Sequence, residues 1–138
     1  MSKLLRQYSG SALLGAVTVL GFAPVSWFWL PWLTLAIWFG WLRNASHREA
    51  FMLGLAFGIG LFGAGVSWIA ISLHDVGGMP FWLAALATAL LCMYLALFPA
   101  VAAWGTAWAR PSQRWIYFPF LWTGTEWWRG WFLTGFPW

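Results

Sequence analysis

The chain is a succession of apolar runs, each near the length that crosses a bilayer, divided by short loops that hold nearly all of its charge. A helix crossing the hydrocarbon core needs about 20 apolar residues, with a working range of roughly 17 to 25. Inside that core no water meets a free backbone group, so a spanning segment must satisfy its own N–H and C=O groups as a helix. The runs extend from about Tyr8 to Phe22, Trp27 to Leu42, Ala50 to Leu73, Phe81 to Ala109, and from Trp115 into the closing residues. They predict an all-α fold, a polytopic transmembrane helix bundle of about five spans, forming one transmembrane domain over residues 1–138. The first two runs are short and share the turn Phe22-Ala23-Pro24, which predicts a tight helical hairpin. Pro31 falls in the opening turn of the second, where backbone N–H groups lack helical partners anyway. The fourth run exceeds one straight span and contains Pro99, so a kink or a tilt is expected there.

Composition closes off the other classes. With 62% hydrophobic and only 7% charged residues, the chain lies far outside the range of soluble domains. Its formal charge of +4 rests on seven Lys and Arg scattered between apolar runs, which reads as a topology signal and not as a nucleic-acid surface. With a cytoplasmic amino terminus, Lys3, Arg6, Arg43, Arg48, Arg110 and Arg114 all lie inside and only Arg129 outside, a positive-inside pattern. The Phe22–Ser26 turn, the His74–Pro80 loop and the closing residues then share the outer face. Tryptophans form two belts on the same reading, with Trp27, Trp29, Trp32, Trp68, Trp82, Trp127, Trp128 and Trp131 outside and Trp38, Trp41, Trp104, Trp108 and Trp115 inside. The basic start Met1-Ser2-Lys3-Leu4-Leu5-Arg6 resembles that of a signal peptide, but Pro24 would sit at the cut and more apolar runs follow, so an uncleaved first span is expected.

Few residues offer chemistry. The third run is rich in glycine, and Gly54 and Gly58 form a G-x-x-x-G pair, with Gly65 seven further on and nearly on the same face. Such a stripe lets a neighbouring helix approach closely. His74-Asp75 reads as a solvated loop, since adjacent loop residues need not point together and supply too few ligands for a metal. The single cysteine, Cys92, lies within an apolar run, where nothing favours a thiolate, and reads as a small core residue. No catalytic residue, cofactor or metal site is expected. Glu126 and Arg129 are three apart, so on a helix they share a face and can pair, which lowers the cost of holding either near lipid. Trp127, Trp128, Trp131 and Trp138 surround them. This set is the candidate lipid-binding site, with Arg129 meeting a phosphate and the tryptophans walling acyl chains.

The closing run Thr125-Glu126-Trp127-Trp128-Arg129-Gly130-Trp131-Phe132-Leu133-Thr134-Gly135-Phe136-Pro137-Trp138 resembles the apolipoprotein N-acyltransferase family. So does Gly60-Leu61-Phe62-Gly63-Ala64-Gly65-Val66-Ser67-Trp68, followed by Ser72 and Gly77-Gly78-Met79-Pro80. The resemblance implies a multi-pass protein of the bacterial inner (cytoplasmic) membrane. It also implies a reaction that moves an acyl chain from a membrane phospholipid, the donor, to the amino group of a diacylglyceryl-modified apolipoprotein, the acceptor. In the family a nitrilase-like domain with a cysteine nucleophile, a glutamate base and a lysine does this chemistry, and none of those positions is matched here. The family's membrane part usually has eight spans. The chain is therefore expected to be the amino-terminal scaffold of a larger enzyme, ending without a polar tail at Trp138. A different possibility is a self-contained small membrane protein, a homo-oligomeric transporter or structural partner. The scarcity of charge at the span centres counts against transport.

Overall fold

The computed structural model describes residues 2–132. Among these it is wholly helical: α1 (Ser2–Thr18), continued by a 3-10 turn (Val19–Gly21), α2 (Leu30–Leu42), α3 (His47–Val66), α4 (Trp68–Asp75), α5 (Phe81–Ala107) and α6 (Arg114–Arg129). Two of them, α3 and α5, are long and apolar enough to cross a membrane, and α2 is a shorter apolar helix. At about 1.5 Å per residue, α5 is about 40 Å long and α6 only about 24 Å.

The polar turn before the third run starts α3 by a capping box. Ser46 Oγ accepts from the Glu49 backbone N–H at 3.4 Å, while Glu49 Oε2 accepts from the Ser46 backbone N–H and hydroxyl, each at 2.9 Å. Two orphan donors of the helix start are thereby met. The same two donations, the backbone one foremost, hold the Glu49 carboxyl below its ordinary range. At the other end the expected single span to Leu73 is divided, because α3 stops at Val66 and α4 restarts at Trp68, with Ser67 as the junction. Hydrophobicity runs unbroken across this point, so the apolar count could not show it. By contrast α5 continues as one helix through Pro99, which is buried.

The middle of the bundle is α3, packed against α5 on one side and α1 on the other, with α4 and α6 resting on α5 and α2 on α1. Small residues let helix backbones approach closely, so that dispersion adds to their packing. Gly54 and Gly58 supply that closeness on the α5 side. A Cβ on Gly54 would lie 2.6 Å from Ala100 Cα, and one on Gly58 2.6 Å from Ala96 Cα. Gly65 stands apart from this pair, since a Cβ there would meet only Val19 Cγ2, at 3.7 Å. The α1 crossing is tighter still. A Cβ on Gly60 would overlap the Ala12 carbonyl, one on Gly15 would overlap the Phe57 carbonyl, and Ser11 Oγ donates to the Leu53 carbonyl at 2.8 Å.

Two buried clusters fill the interior. Around the Ser46 end, Trp38 stacks on Phe57 with ring centroids 4.5 Å apart, and Trp122 and Phe118 meet Trp38 edge-on. Further along α3, Phe62 and Val66 pack with Cys92 and Leu95. Cys92 is buried and its Sγ lies 3.5 Å from the Phe62 carbonyl, as befits a core residue.

Candidate functional site

Arg114 opens α6 and does not face solvent: it is 6% exposed. Its Nη1 donates to the carbonyls of Leu42 (2.8 Å), Arg43 (3.2 Å) and Ala45 (2.8 Å), its Nη2 to Ala107 (2.9 Å) and its Nε to Ala109 (3.2 Å). One guanidinium thus meets carbonyls at the ends of both α2 and α5, that of Leu42 also accepting from the Ala45 N–H at 3.2 Å, a use of the planar five-donor fork that no other side chain matches. Reading Arg114 as a charge that only marks the inner side missed this. Sequence offers no local cue to it, because its partners on α2 lie about 70 residues away.

With its start fixed there, α6 ends at Gly130, whose N–H closes on Glu126 and Trp127. That length sets the level of the candidate residues. Glu126 and Arg129 form an ion pair through Oε2 and Nη2. The Arg129 guanidinium also lies over the Phe62 ring, 5.4 Å from its centroid, an attraction to the negative face of the ring. Trp128 meets Phe98 edge-on at 6.3 Å. Phe132 stacks on Tyr94 at 6.4 Å, and the Tyr94 hydroxyl donates to the Phe132 carbonyl at 3.4 Å. Tyr94 is the midpoint of α5. The described part of the closing motif, 125–132, therefore brings Phe132 level with the middle of α5. The cause is the shortness of α6, which the hydropathy of separate runs does not report.

The four candidate tryptophans divide. Trp128 faces Phe98 and Phe132, whereas Trp127 and Trp131, 69% and 73% exposed, pair with each other on the outside of the bundle. Trp138 lies outside the described residues. The Arg129 side chain is 12% exposed and that of Glu126 33%. Arg129 Nε and Nη1 are buried and have no partner among the described residues. The arrangement is a guanidinium with donors to spare, balanced by one carboxylate and set over the Phe62 ring, while Tyr94, Phe98, Trp128 and Phe132 form an aromatic cluster of their own between α5 and the end of α6. The sequence reading missed the phenylalanines and Tyr94. Phe62 could have been noticed, since it stands inside the glycine-rich segment that carries the family resemblance.

His74 and Asp75 share no side-chain hydrogen bond among the described residues. His74 Nδ1 is 2.8 Å from the Met79 carbonyl, closing the exposed loop between α4 and α5. No group of three or more His, Cys, Asp or Glu that could hold a metal occurs among the described residues.

Fold and site together define an all-helical bundle in which two helices are long and apolar enough to cross a membrane, with an ion pair at the end of a short helix. Residues 14–138 match the family model described as the apolipoprotein N-acyltransferase N-terminal domain, and the chain belongs to that family. Among similar proteins is the apolipoprotein N-acyltransferase of Nitrosomonas europaea, 46% identical over 129 residues that cover 91% of this chain and 26% of the relative. That of Chromobacterium violaceum is 47% identical, covering 93% and 25%. That of Shewanella oneidensis is 42% identical, covering 91% and 26%. The chain thus spans about a quarter of the length of the curated relatives it matches.

Proposed function

We propose that the chain is the amino-terminal membrane scaffold of an enzyme of the bacterial inner membrane that transfers an acyl chain from a phospholipid to the amino group of a diacylglyceryl-modified lipoprotein. Membership of the family and the share of the relatives' length support this reading. The chemistry is assigned to a domain beyond these residues, and the scaffold's part is to hold lipid.

The observation that carries the proposal is the Arg129 guanidinium, which keeps Nε and Nη1 free of partners among the described residues while Glu126 takes Nη2. Both free groups can donate to one phosphate, with the charge-assisted strength of Arg–phosphate contacts. Phe98, Trp128 and Phe132 then offer apolar walls to acyl chains. Arg129→Ala in the full-length enzyme is expected to lower lipoprotein N-acylation by about tenfold or more, the loss of roughly 1.4 kcal/mol or more. Acylation at the parental rate, with the variant present in the membrane at normal amount, would remove the lipid-holding role.

For topology we infer about five crossings with a cytoplasmic amino terminus. Lys3, Arg6, Arg43, Arg48, Arg110 and Arg114 carry that inference, with Arg129 alone on the other side. A reporter fused after Trp138 is expected to be active only on the outer side of the membrane. Activity of a cytoplasm-specific reporter at that point would overturn the five-span arrangement.

A further inference from the structure

A second polar feature lies away from the ion pair, where α1 begins and α3 is capped. There a half-enclosed cavity of about 280 Å³ is lined by Leu4, Gln7, Tyr8, Trp41, Asn44 and Glu49, among others. We propose that this cavity seats the primary-ammonium headgroup of a phospholipid in the leaflet at the Ser46 end. The proposal concerns a different place and a different chemical group from the acyl-transfer reading, and holds or fails independently of it.

Three observations support the assignment. Glu49 spends Oε2 on the cap, but a carboxylate has about four acceptor positions, and Oε1 takes none of the described hydrogen bonds. Donations from Ser46 favour its charged form, and the residue lines the cavity. Tyr8 and Trp41 add aromatic surface, and Gln7 and Asn44 add amide oxygens. A carboxylate beside aromatic rings is how proteins hold an ammonium group. Arg43 and Arg48 are exposed and adjoin the lining residues Asn44 and Glu49 in the chain. A headgroup with an ammonium at one end and a phosphate at the other matches this order of charge. Leu4 and Leu5 are exposed beside it, which gives acyl chains an apolar flank and favours a lipid over a soluble amine.

Chemistry predicts discrimination. Phosphatidylglycerol has no ammonium to offer Glu49, and phosphatidylcholine has a quaternary one without N–H donors. The test places a photo-crosslinking benzophenone side chain at Leu4 in the full-length protein, reconstituted in vesicles of equal parts phosphatidylethanolamine, phosphatidylglycerol and phosphatidylcholine. Adducts on the peptide holding residue 4 are then identified by mass. Phosphatidylethanolamine adducts are expected to exceed each of the others by about tenfold. Glu49→Gln should abolish the preference, because glutamine keeps the capping box while removing the charge. Tyr8→Leu should weaken it. Adducts in equal proportion on the parent protein would overturn the proposal, as would an unchanged preference in Glu49→Gln or suppression of the adducts by soluble phosphoethanolamine. Should Glu49→Gln misfold, the parent's adduct ratios and Tyr8→Leu decide the matter.

Discussion

Replacing Arg114 with alanine is expected to destabilise the bundle by about 3 kcal/mol or more, the cost of leaving several buried carbonyls without donors. Five hydrogen bonds go at once, and with them the link between the ends of α2 and α5 and the start of α6. Arg114→Lys should recover little, although the charge is kept. An ammonium is a compact donor on a flexible stem and cannot span carbonyls that belong to two different helix ends. Thermal unfolding of detergent-solubilised protein would measure both variants. If lysine restored the parental midpoint, charge alone would be sufficient and the capping account would be wrong. Arg110, four residues earlier and exposed, is the comparison: Arg110→Ala should change stability by no more than a few tenths of a kcal/mol.

Enlarging Gly60 should be the most damaging of the α3 glycine substitutions. A Cβ there overlaps the backbone carbonyl of Ala12, and a backbone cannot swing aside as a long side chain can. Even Gly60→Ala is expected to cost about 1–3 kcal/mol, the usual range for overpacking, and Gly60→Leu more. Gly63 supplies the contrast, three residues on, where an added Cβ would meet nothing within 4 Å. Gly63→Ala should be neutral or slightly stabilising, since alanine is the better helix former by about 1 kcal/mol. Equal unfolding midpoints for the Gly60 and Gly63 alanine variants would contradict the close α1–α3 crossing.

Much of this could be seen in the residues alone, and the remainder could not for definable reasons. The helical class follows from apolar runs that have no strand alternation. The contact of Glu126 with Arg129 follows from their spacing, because three residues on a helix return nearly to the same side. The closeness at Gly54 and Gly58 follows likewise from a four-residue repeat. Register between helices is another matter. That Tyr94 stands beside Phe132, and hence that the closing motif meets α5 halfway, depends on where α6 begins, and that depends on what Arg114 grips. The interruption at Ser67 is equally silent in composition, since hydropathy registers apolarity and not the continuity of a helix. Gly65 shows the same limit from the other side: its spacing puts it near the line of Gly58, but the neighbour there is Val19 of the 3-10 turn and not α5.

The reach of Arg114 across the sequence also has a bearing on how the molecule is made. A chain is made from its amino terminus, so the carbonyls of Arg43 and Ala45 emerge about 70 residues before the side chain that meets them. Through that interval the exit of α2 lacks this partner. Only when α5 has been laid down and α6 begins does one residue fasten the early hairpin to the late one. Biogenesis would then have a committing step at residue 114, before which the amino-terminal helices remain correctable and after which they are locked.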